Sequence, residues 1–298
     1  MKSIASKPLT MPAENVLPKR GANLRRALGG LGVSGLVGLS LVVFWLLIAV
    51  IGPFVAPYEV GAIVAYEVFE PVSAAYPLGT DYLGRDVLSR ILLGARFTIG
   101  LAFAAALFAG IAGTALALYS AVSGRLVDEL LSRLMDTLIS IPSKIFALVM
   151  VAAFGSSLPL LLLITAVSYT PGAFRIGRAL AVNINAMDFV QVARARGEGR
   201  GYLAVAEILP NMIHPMLADI GLRFVYVVLL LSSLSFLGLG VQPPDADLGS
   251  LVRENISGLP EGAPAVLMPA LAIATLTVGV NLLIDSLRGR ARNPGEGA

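Results

Sequence analysis

Residues Asp188 to Pro210 read DFVQVARARGEGRGYLAVAEILP, a polar, arginine-bearing segment that separates two long apolar runs. The spacing of its first half predicts a short helix that carries on one side Phe189, Val192, Ala193 and Arg196. A helix fixed in this way between two membrane spans is a candidate contact site for a partner protein. The alternative interpretation is a loop that has no partner.

The second half of this segment is interrupted by glycines and ends at a proline. Glycine adopts backbone angles that other residues avoid, so Gly197, Gly199 and Gly201 predict a break after the short helix. Proline is tolerated in the first turn of a helix, so Pro210 predicts the start of the next apolar helix.

The composition of the chain is that of a membrane protein. Of its 298 residues, 56% are hydrophobic and 14% are charged, and the mean hydropathy is +0.82. The net charge of +3 comes mostly from segments that flank the apolar runs, which indicates membrane topology and no nucleic-acid partner. The absence of cysteine excludes thiolate metal sites, and one histidine, His214, is too few for an imidazole cluster, so we expect no metal site.

Six apolar runs are each long enough to cross a hydrocarbon core of about 30 Å. They cover approximately residues 31–55, 97–121, 134–154, 158–180, 211–238 and 265–287. The predicted fold is therefore an all-α membrane protein with six transmembrane helices. The second run is rich in alanine and glycine, so we expect it to pack inside the bundle, and Pro142 predicts a kink in the third.

The segments outside these runs complete the predicted organisation. The predicted order begins with a tail (1–30), a first span (31–55) and an external loop (56–93). A five-helix core (94–288) and a second tail (289–298) follow. The stretch from Leu78 to Arg96 predicts a short interfacial helix in which Asp86 and Arg90 pair at helical spacing, and a surface loop is the alternative. A polar link is expected over residues 123–133.

The distribution of basic residues predicts the orientation. Six spans place both termini on one side, and most of the lysines and arginines outside the spans lie on that side together with residues 188–210. The other side holds Arg85, Arg90, Arg96 and Arg253. Both termini and the 188–210 segment are therefore predicted to be cytoplasmic.

The chain lacks the patterns that would predict catalysis. A phosphate-binding P-loop needs Gly-Lys before Ser or Thr, and none of the lysines follows a glycine. No catalytic triad or carboxylate pair stands out. We expect no enzymatic activity in this chain, so transport would be powered by an ion gradient or by another subunit.

Several motifs resemble the permeases of ABC importers. Their cytoplasmic loop has the pattern Glu-Ala-Ala, three residues, Gly, nine residues, Ile-x-Leu-Pro, and this chain has Gln191-Val192-Ala193, Gly197 and Glu207-Ile208-Leu209-Pro210 at that spacing. Three positions depart from the pattern, because Gln, Val and Glu stand where it has Glu, Ala and Ile. The runs LGTDYLGRDVLSR, LSFLGLGVQPP and NLLIDSLRGR, which begin at Leu78, Leu234 and Asn281, are similar to the dipeptide/oligopeptide/nickel branch.

This resemblance implies one half of a type I importer in a bacterial inner membrane. The implied partners are a second, related permease, two ABC ATPase subunits that hold ATP and Mg, an external solute-binding protein and the lipid bilayer. The chain itself would need no cofactor. The resemblance also implies the residues of the ATPase-coupling loop, which are Asp188, Gln191, Ala193, Arg194, Arg196, Gly197, Arg200, Leu209 and Pro210.

Two charged residues lie inside the fifth apolar run. Asp219 and Arg223 are four residues apart, and isolated charges there would be costly, so we expect them to pair with each other or to face a wet translocation path. The family pattern has no matching charges at these positions. Contact with a charged solute and an internal ion pair are the two interpretations.

Transport in an ATP-driven importer is the function that these features predict, with di- or oligopeptides as the favoured solutes and nickel chelates or opines as alternatives. A gradient-driven secondary transporter or channel is the competing class. Inverted repeats with broken helices would favour it, and no internal repeat is evident. A membrane scaffold without transport is a third interpretation.

Overall fold

The computed structural model of the protein describes residues 32–292. The predicted tail over residues 1–30 and residues 293–298 of the second tail lie outside this part of the chain. Within it the protein is helical, with one isolated bridge between Thr80 and Asp86, so the all-α fold class is confirmed.

The described chain forms nine α-helices, which we number in chain order. They are α1 (Val33–Val55), α2 (Val87–Ser123), α3 (Arg125–Ser140), α4 (Ser143–Phe154), α5 (Leu158–Asn185), α6 (Asp188–Ala195), α7 (Arg200–Phe236), α8 (Leu248–Glu254) and α9 (Pro264–Arg292). A short 3₁₀ helix, Ile256–Glu261, lies between α8 and α9.

Five of these helices, α1, α2, α5, α7 and α9, are long and apolar enough to cross a membrane. Helices α3 and α4 are bent by 83° at Ile141-Pro142 and make a sixth span if they are counted as one. The predicted break at Pro142 is therefore present, because proline has no N–H to donate and its ring clashes with the preceding turn. The predicted polar link over residues 123–133 is wrong: α3 begins at Arg125, since its leucines and charges recur at helical spacing on opposite sides.

Helix α2 merges two elements that the sequence predicts as separate. The expected interfacial helix and second span form one helix of 37 residues. The expected Asp86–Arg90 pair is wrong, because Asp86 caps the helix and its carboxylate accepts a hydrogen bond from the Ser89 N–H at 2.8 Å. Arg90 instead contacts Asp81 at 2.9 Å. With no proline between the cap and Ser123, nothing interrupts the helix.

Helix α7 begins ten residues before the position that Pro210 predicts. It starts at Arg200, passes through a π-helical turn over Leu203–Ile208 and continues to Phe236. The Leu209 N–H donates to the Ala204 carbonyl, five residues back. This wider turn accommodates the proline ring, which in a regular helix would meet the carbonyl four residues earlier.

Helix α2 is the centre of the bundle and packs against α5, α7 and α1. Six of its alanines are fully buried and glycines allow close helix crossings, which confirms that this helix packs inside the bundle. A methyl group added to Gly113 would lie 2.4 Å from the Cβ of Ala173 on α5. On the other flank α1 packs against α9, where a methyl group on Gly38 would lie 2.6 Å from the Leu283 nitrogen.

Two ends of the molecule are set apart by α2. Its first turns contact α8, while its last turn contacts the end of α5, where Asn185 Nδ2 donates to the Ala121 carbonyl at 3.0 Å. At 1.5 Å per residue, the 37 residues of α2 separate these ends by about 55 Å. Helix α8 and the 188–210 segment therefore lie at opposite ends of the bundle.

Candidate functional site

The 188–210 segment contains helix α6, a turn and the start of α7. Asp188 stands in the first turn of α6 and Arg194 in the last, an arrangement that complements the helix dipole. The predicted helix is present. Its buried residues are Val190 and Ala193, while Phe189 and Val192 are 41% and 57% exposed.

The buried face of α6 packs against its neighbours in the bundle. Val190 and Ala193 join one apolar cluster with Ile184 of α5 and with Leu203 and Ile208 of the π turn. Helix α6 is thus packed on the ends of two long helices.

Asn185, which the sequence analysis did not single out, ties α6 to both α5 and α2. Its carbonyl accepts a hydrogen bond from Gln191 Nε2 at 2.7 Å and its Oδ1 accepts one from Arg194 Nη2 at 2.9 Å. Its own amide donates to the end of α2. An Asn at a helix end carries little sequence signal, because its partners lie on two other helices.

The turn after α6 depends on one glycine. Gly197 has a φ of +87°, a conformation that other residues rarely adopt, and its N–H donates to the Arg194 carbonyl at 3.0 Å. Gly199 has a φ of −74°, which any residue can adopt. Of these two predicted break positions, the geometry thus requires glycine at Gly197.

The outer surface of this site is basic. Arg194, Arg196 and Arg200 are exposed, and Arg196 lies 4.0 Å from Glu207 across the turn. The remaining predicted residues divide by burial: Asp188, Gln191 and Pro210 are exposed and Leu209 is half-buried. The site therefore presents charged and apolar side chains outward from a packed base.

Asp219 and Arg223 form an ion pair inside the bundle. Arg223 Nε donates to Asp219 Oδ2 at 2.6 Å, and the two residues are 6% and 5% exposed. Arg223 Nη1 also donates to the Tyr169 carbonyl of α5 at 2.9 Å. The charges satisfy each other and link α7 to α5.

A second charged network closes the opposite end of the molecule. The Asp81 Oδ2 atom accepts hydrogen bonds from Arg85 at 2.6 Å and Arg90 at 2.9 Å, and both arginines also donate to Glu254 of α8. Burial alone would lower the pKa of the Arg85 guanidinium, but Asp81 and Glu254 raise it, so Arg85 stays charged. Sequence spacing missed Glu254, because it lies 164 residues from Arg90 along the chain.

Metal ligands are not grouped in the described part of the chain. Among residues 32–292, no cluster of three or more His, Cys, Asp or Glu side chains has a geometry that would hold an ion.

Comparison with known proteins identifies the class to which this bundle belongs. Residues 111–293 match the family described as binding-protein-dependent transport system inner membrane component. The chain belongs to this family and is a multi-pass permease.

Two relatives extend the match over nearly the whole chain. The dipeptide transport system permease protein DppC of Haemophilus influenzae is 32% identical over 259 residues, covering 85% of this chain and 88% of the relative. The protein of the same name from Alkalihalophilus pseudofirmus is 31% identical over 295 residues and covers 97% of both chains. Both relatives are described as permeases of dipeptide transport systems.

A solved structure shares the fold. A chain from the crystal structure of an amino acid ABC transporter with histidines aligns with a TM-score of 0.51, covering 68% of this chain and 93% of that chain at 19% identity. This likeness supports the permease fold.

Proposed function

We propose that the chain forms half of the translocation path for di- or oligopeptides in an ATP-driven importer, and that residues 188–210 couple it to ATPase subunits. The observation that supports this proposal is the way in which α6 is packed and hydrogen-bonded to the rest of the bundle. The helix is packed through Val190 and Ala193 and hydrogen-bonded through Asn185, while Phe189, Val192 and Arg194 face outward. A packed base and a free outer face suit a helix that receives force from a partner.

The geometry suits transmission of a mechanical signal. Helix α6 lies between the ends of α5 and α7, which are both long enough to cross the membrane. A partner that pushes α6 would tilt these two helices together, because α6 has little freedom to move against them. Arg194, Arg196 and Arg200 would favour an acidic groove on that partner.

The proposed assembly follows from the family and from the lack of a phosphate-binding P-loop in the sequence. ATP and Mg would be held by two ABC ATPase subunits, and a second, related permease would complete the path as a heterodimer. An external solute-binding protein would deliver the solute at the end of the bundle that carries Asp81 and Glu254. In this orientation both termini and α6 are cytoplasmic and the membrane is the bacterial inner membrane.

The proposed solute class rests on the relatives. Both are described as dipeptide permeases, and their similarity extends over most of the chain. An ordinary dipeptide is therefore the first solute to test.

The test compares two glycines that stand two residues apart. Gly197→Pro cannot adopt the φ of +87° and loses the N–H that donates to Arg194, whereas the φ of −74° at Gly199 suits proline. We expect the reconstituted transporter with Gly197→Pro to lose peptide uptake and solute-stimulated ATP hydrolysis, with normal abundance in the membrane. Gly199→Pro is the matched control and should retain both activities.

One result would contradict the coupling role, and another would contradict the part of Gly197 in it. One is normal uptake and normal stimulated ATP hydrolysis with Gly197→Pro. The other is an equal loss of both activities in the two variants, which would mean that any rigid residue in this turn is harmful and that the backbone of Gly197 has no special part.

A further inference from the structure

Two tyrosines stack on each other between α5 and α7. The ring centroids of Tyr169 and Tyr226 are 6.4 Å apart with an interplanar angle of 16°. The Tyr169 hydroxyl donates to the Tyr226 carbonyl at 3.0 Å. Tyr169 lies near the middle of the apolar run 158–180 and Tyr226 near the middle of the run 211–238, so both rings lie at the depth of the membrane centre.

The buried ion pair holds this aromatic pair in place. Arg223 donates through Nε to Asp219 and through Nη1 to the carbonyl of Tyr169, so one guanidinium joins α7 to the backbone that carries the first ring. The neighbouring Gly172 makes room for it, because a methyl group there would lie 2.9 Å from Nη1. Arg223 therefore acts on Tyr169 and Tyr226 through the helix backbone.

The exposed side of the tyrosine pair differs in polarity from the surface of α1. Tyr226 is 54% exposed, and the half-buried Ser233 lies two turns further along the same face of α7, with Leu229, 47% exposed, between them. The large exposed side chains in the middle of α1 are all apolar, as expected for contact with lipid tails; they are Val43, Phe44, Leu46, Leu47, Val50 and Ile51. A phenol at the bilayer centre would be costly to expose to lipid, and tyrosine favours the interface with water. The face of α7 that carries Tyr226 therefore belongs on the inside of the assembled transporter.

We propose that Tyr169 and Tyr226 form an aromatic wall of the translocation path that binds the apolar or aromatic side chain of a peptide. This inference rests on the proposed function of the chain as a peptide permease. Because the Arg223 charge is engaged by Asp219 and by a carbonyl, the site takes the uncharged part of the solute and not its terminal carboxylate. Asp219 and Arg223 are positioning residues that fix the spacing of the two rings.

The test is a substitution at Tyr226 in the complete transporter, reconstituted in proteoliposomes with uptake of Ala-Phe and Ala-Ala measured side by side. Loss of a ring contact should raise the KM for Ala-Phe about five- to tenfold in Tyr226→Ala, and leave the KM for Ala-Ala within about twofold. Tyr226→Phe keeps the ring and should behave as the wild type. Tyr226→Leu keeps most of the volume and should reproduce the Ala-Phe defect, which separates loss of the ring from loss of packing.

The control variant is Phe108→Ala. Phe108 is an aromatic residue near the middle of the apolar part of α2 and is 59% exposed, but it lies among the apolar side chains Phe103, Leu107 and Ile111. Its substitution should change the KM for neither peptide. For the positioning role, the Asp219→Leu/Arg223→Leu variant should raise the KM for Ala-Phe while kcat is retained.

The possible results separate the inference from the proposed function. If the wild type takes up both peptides but Tyr226→Ala weakens both equally or neither, the aromatic wall is wrong and the permease function stands. A Phe108→Ala defect equal to that of Tyr226→Ala would likewise overturn the assignment of this face. Failure of the wild type to take up either peptide would refute the proposed solute class and this inference together.

Discussion

Arg223 is a residue whose two hydrogen bonds determine how α5 and α7 fit together. A guanidinium inside a bundle is costly unless its charge and its N–H groups are satisfied, and here a carboxylate and a helix carbonyl satisfy them. The pair thus joins two helices at the depth of the membrane centre, where little water competes for its hydrogen bonds. Its partner Asp219 lies one turn away on the same helix. Removal of either residue therefore leaves the other as an unpaired buried charge.

The ion pair predicts a non-additive set of variants. Asp219→Leu and Arg223→Leu each leave one buried charge without its partner, which typically costs about 3–5 kcal/mol, whereas an apolar replacement of both is often tolerated. We expect each single variant to reduce the amount of permease in the membrane and its apparent melting temperature, and the double variant to recover both. Membrane abundance by immunoblot and thermal unfolding of the purified complex measure this.

The opposite order of these variants would contradict the structural pair. If the double variant is less stable than either single one, the two side chains stabilise the bundle independently. If all three match the wild type, both charges reach water and the pair contributes nothing to stability.

At the scale of elements, the sequence predicts local events well and distant ones poorly. The bend at Pro142 and the short helix before Gly197 are determined by the residues at those positions, and both were predictable. The buried face of α6 was not, because the choice of Val190 over Phe189 depends on where α5 and the π turn lie. The start of α7 was missed for a related reason, since a π turn that relieves a proline has no simple spacing signature.

The 188–210 segment shows the same difference between local and distant contacts. The register of Gly197 and Pro210 indicated the segment, and the structure adds Asn185, whose three partners lie on α6 and α2. The network at Asp81 was missed in the same way, because Arg90 finds Glu254 through the fold and not through helical spacing. Contacts between distant segments therefore account for most of what the sequence leaves open.

The Asp81 network predicts how its end of the bundle responds to a charge change. Asp81→Asn keeps the side-chain oxygen that accepts from the Leu83 and Arg85 N–H groups, but it removes the charge that two buried arginines share. We expect a loss of about 3–5 kcal/mol in the stability of this end, seen as faster proteolysis of the 56–86 segment in purified transporter. Glu67→Gln, an exposed acid in the same segment, should leave the rate unchanged. Equal rates in both variants would show that the network does not hold the segment.

At the scale of the whole molecule, the central helix α2, about 55 Å long, separates two sites. One end carries α8 and the Asp81 network, and the other carries α6 with its exposed arginines. A transporter that receives solute at one end and force at the other needs this separation, because the two partners must lie on opposite sides of the membrane. The buried pair Asp219–Arg223 lies between them.

The orientation of the molecule in the membrane can be determined with two single-cysteine variants. The native chain has none, so Ser73→Cys and Arg200→Cys each introduce a single reactive site at an exposed position. An impermeant thiol reagent applied to intact spheroplasts should label Ser73→Cys and not Arg200→Cys, and both should react once the membrane is opened. Labelling of Arg200→Cys from outside would invert the orientation and exclude contact with a cytoplasmic ATPase.

The proposed function depends on what drives uptake. The decisive measurement is the entry of a labelled dipeptide into proteoliposomes that contain this chain, its partner permease, the two ATPases and the binding protein. We predict accumulation against a gradient that requires ATP hydrolysis, persists when ion gradients are collapsed by ionophores, and disappears with Gly197→Pro. Accumulation that persists without ATP and is abolished by ionophores would contradict the account and identify a gradient-driven transporter.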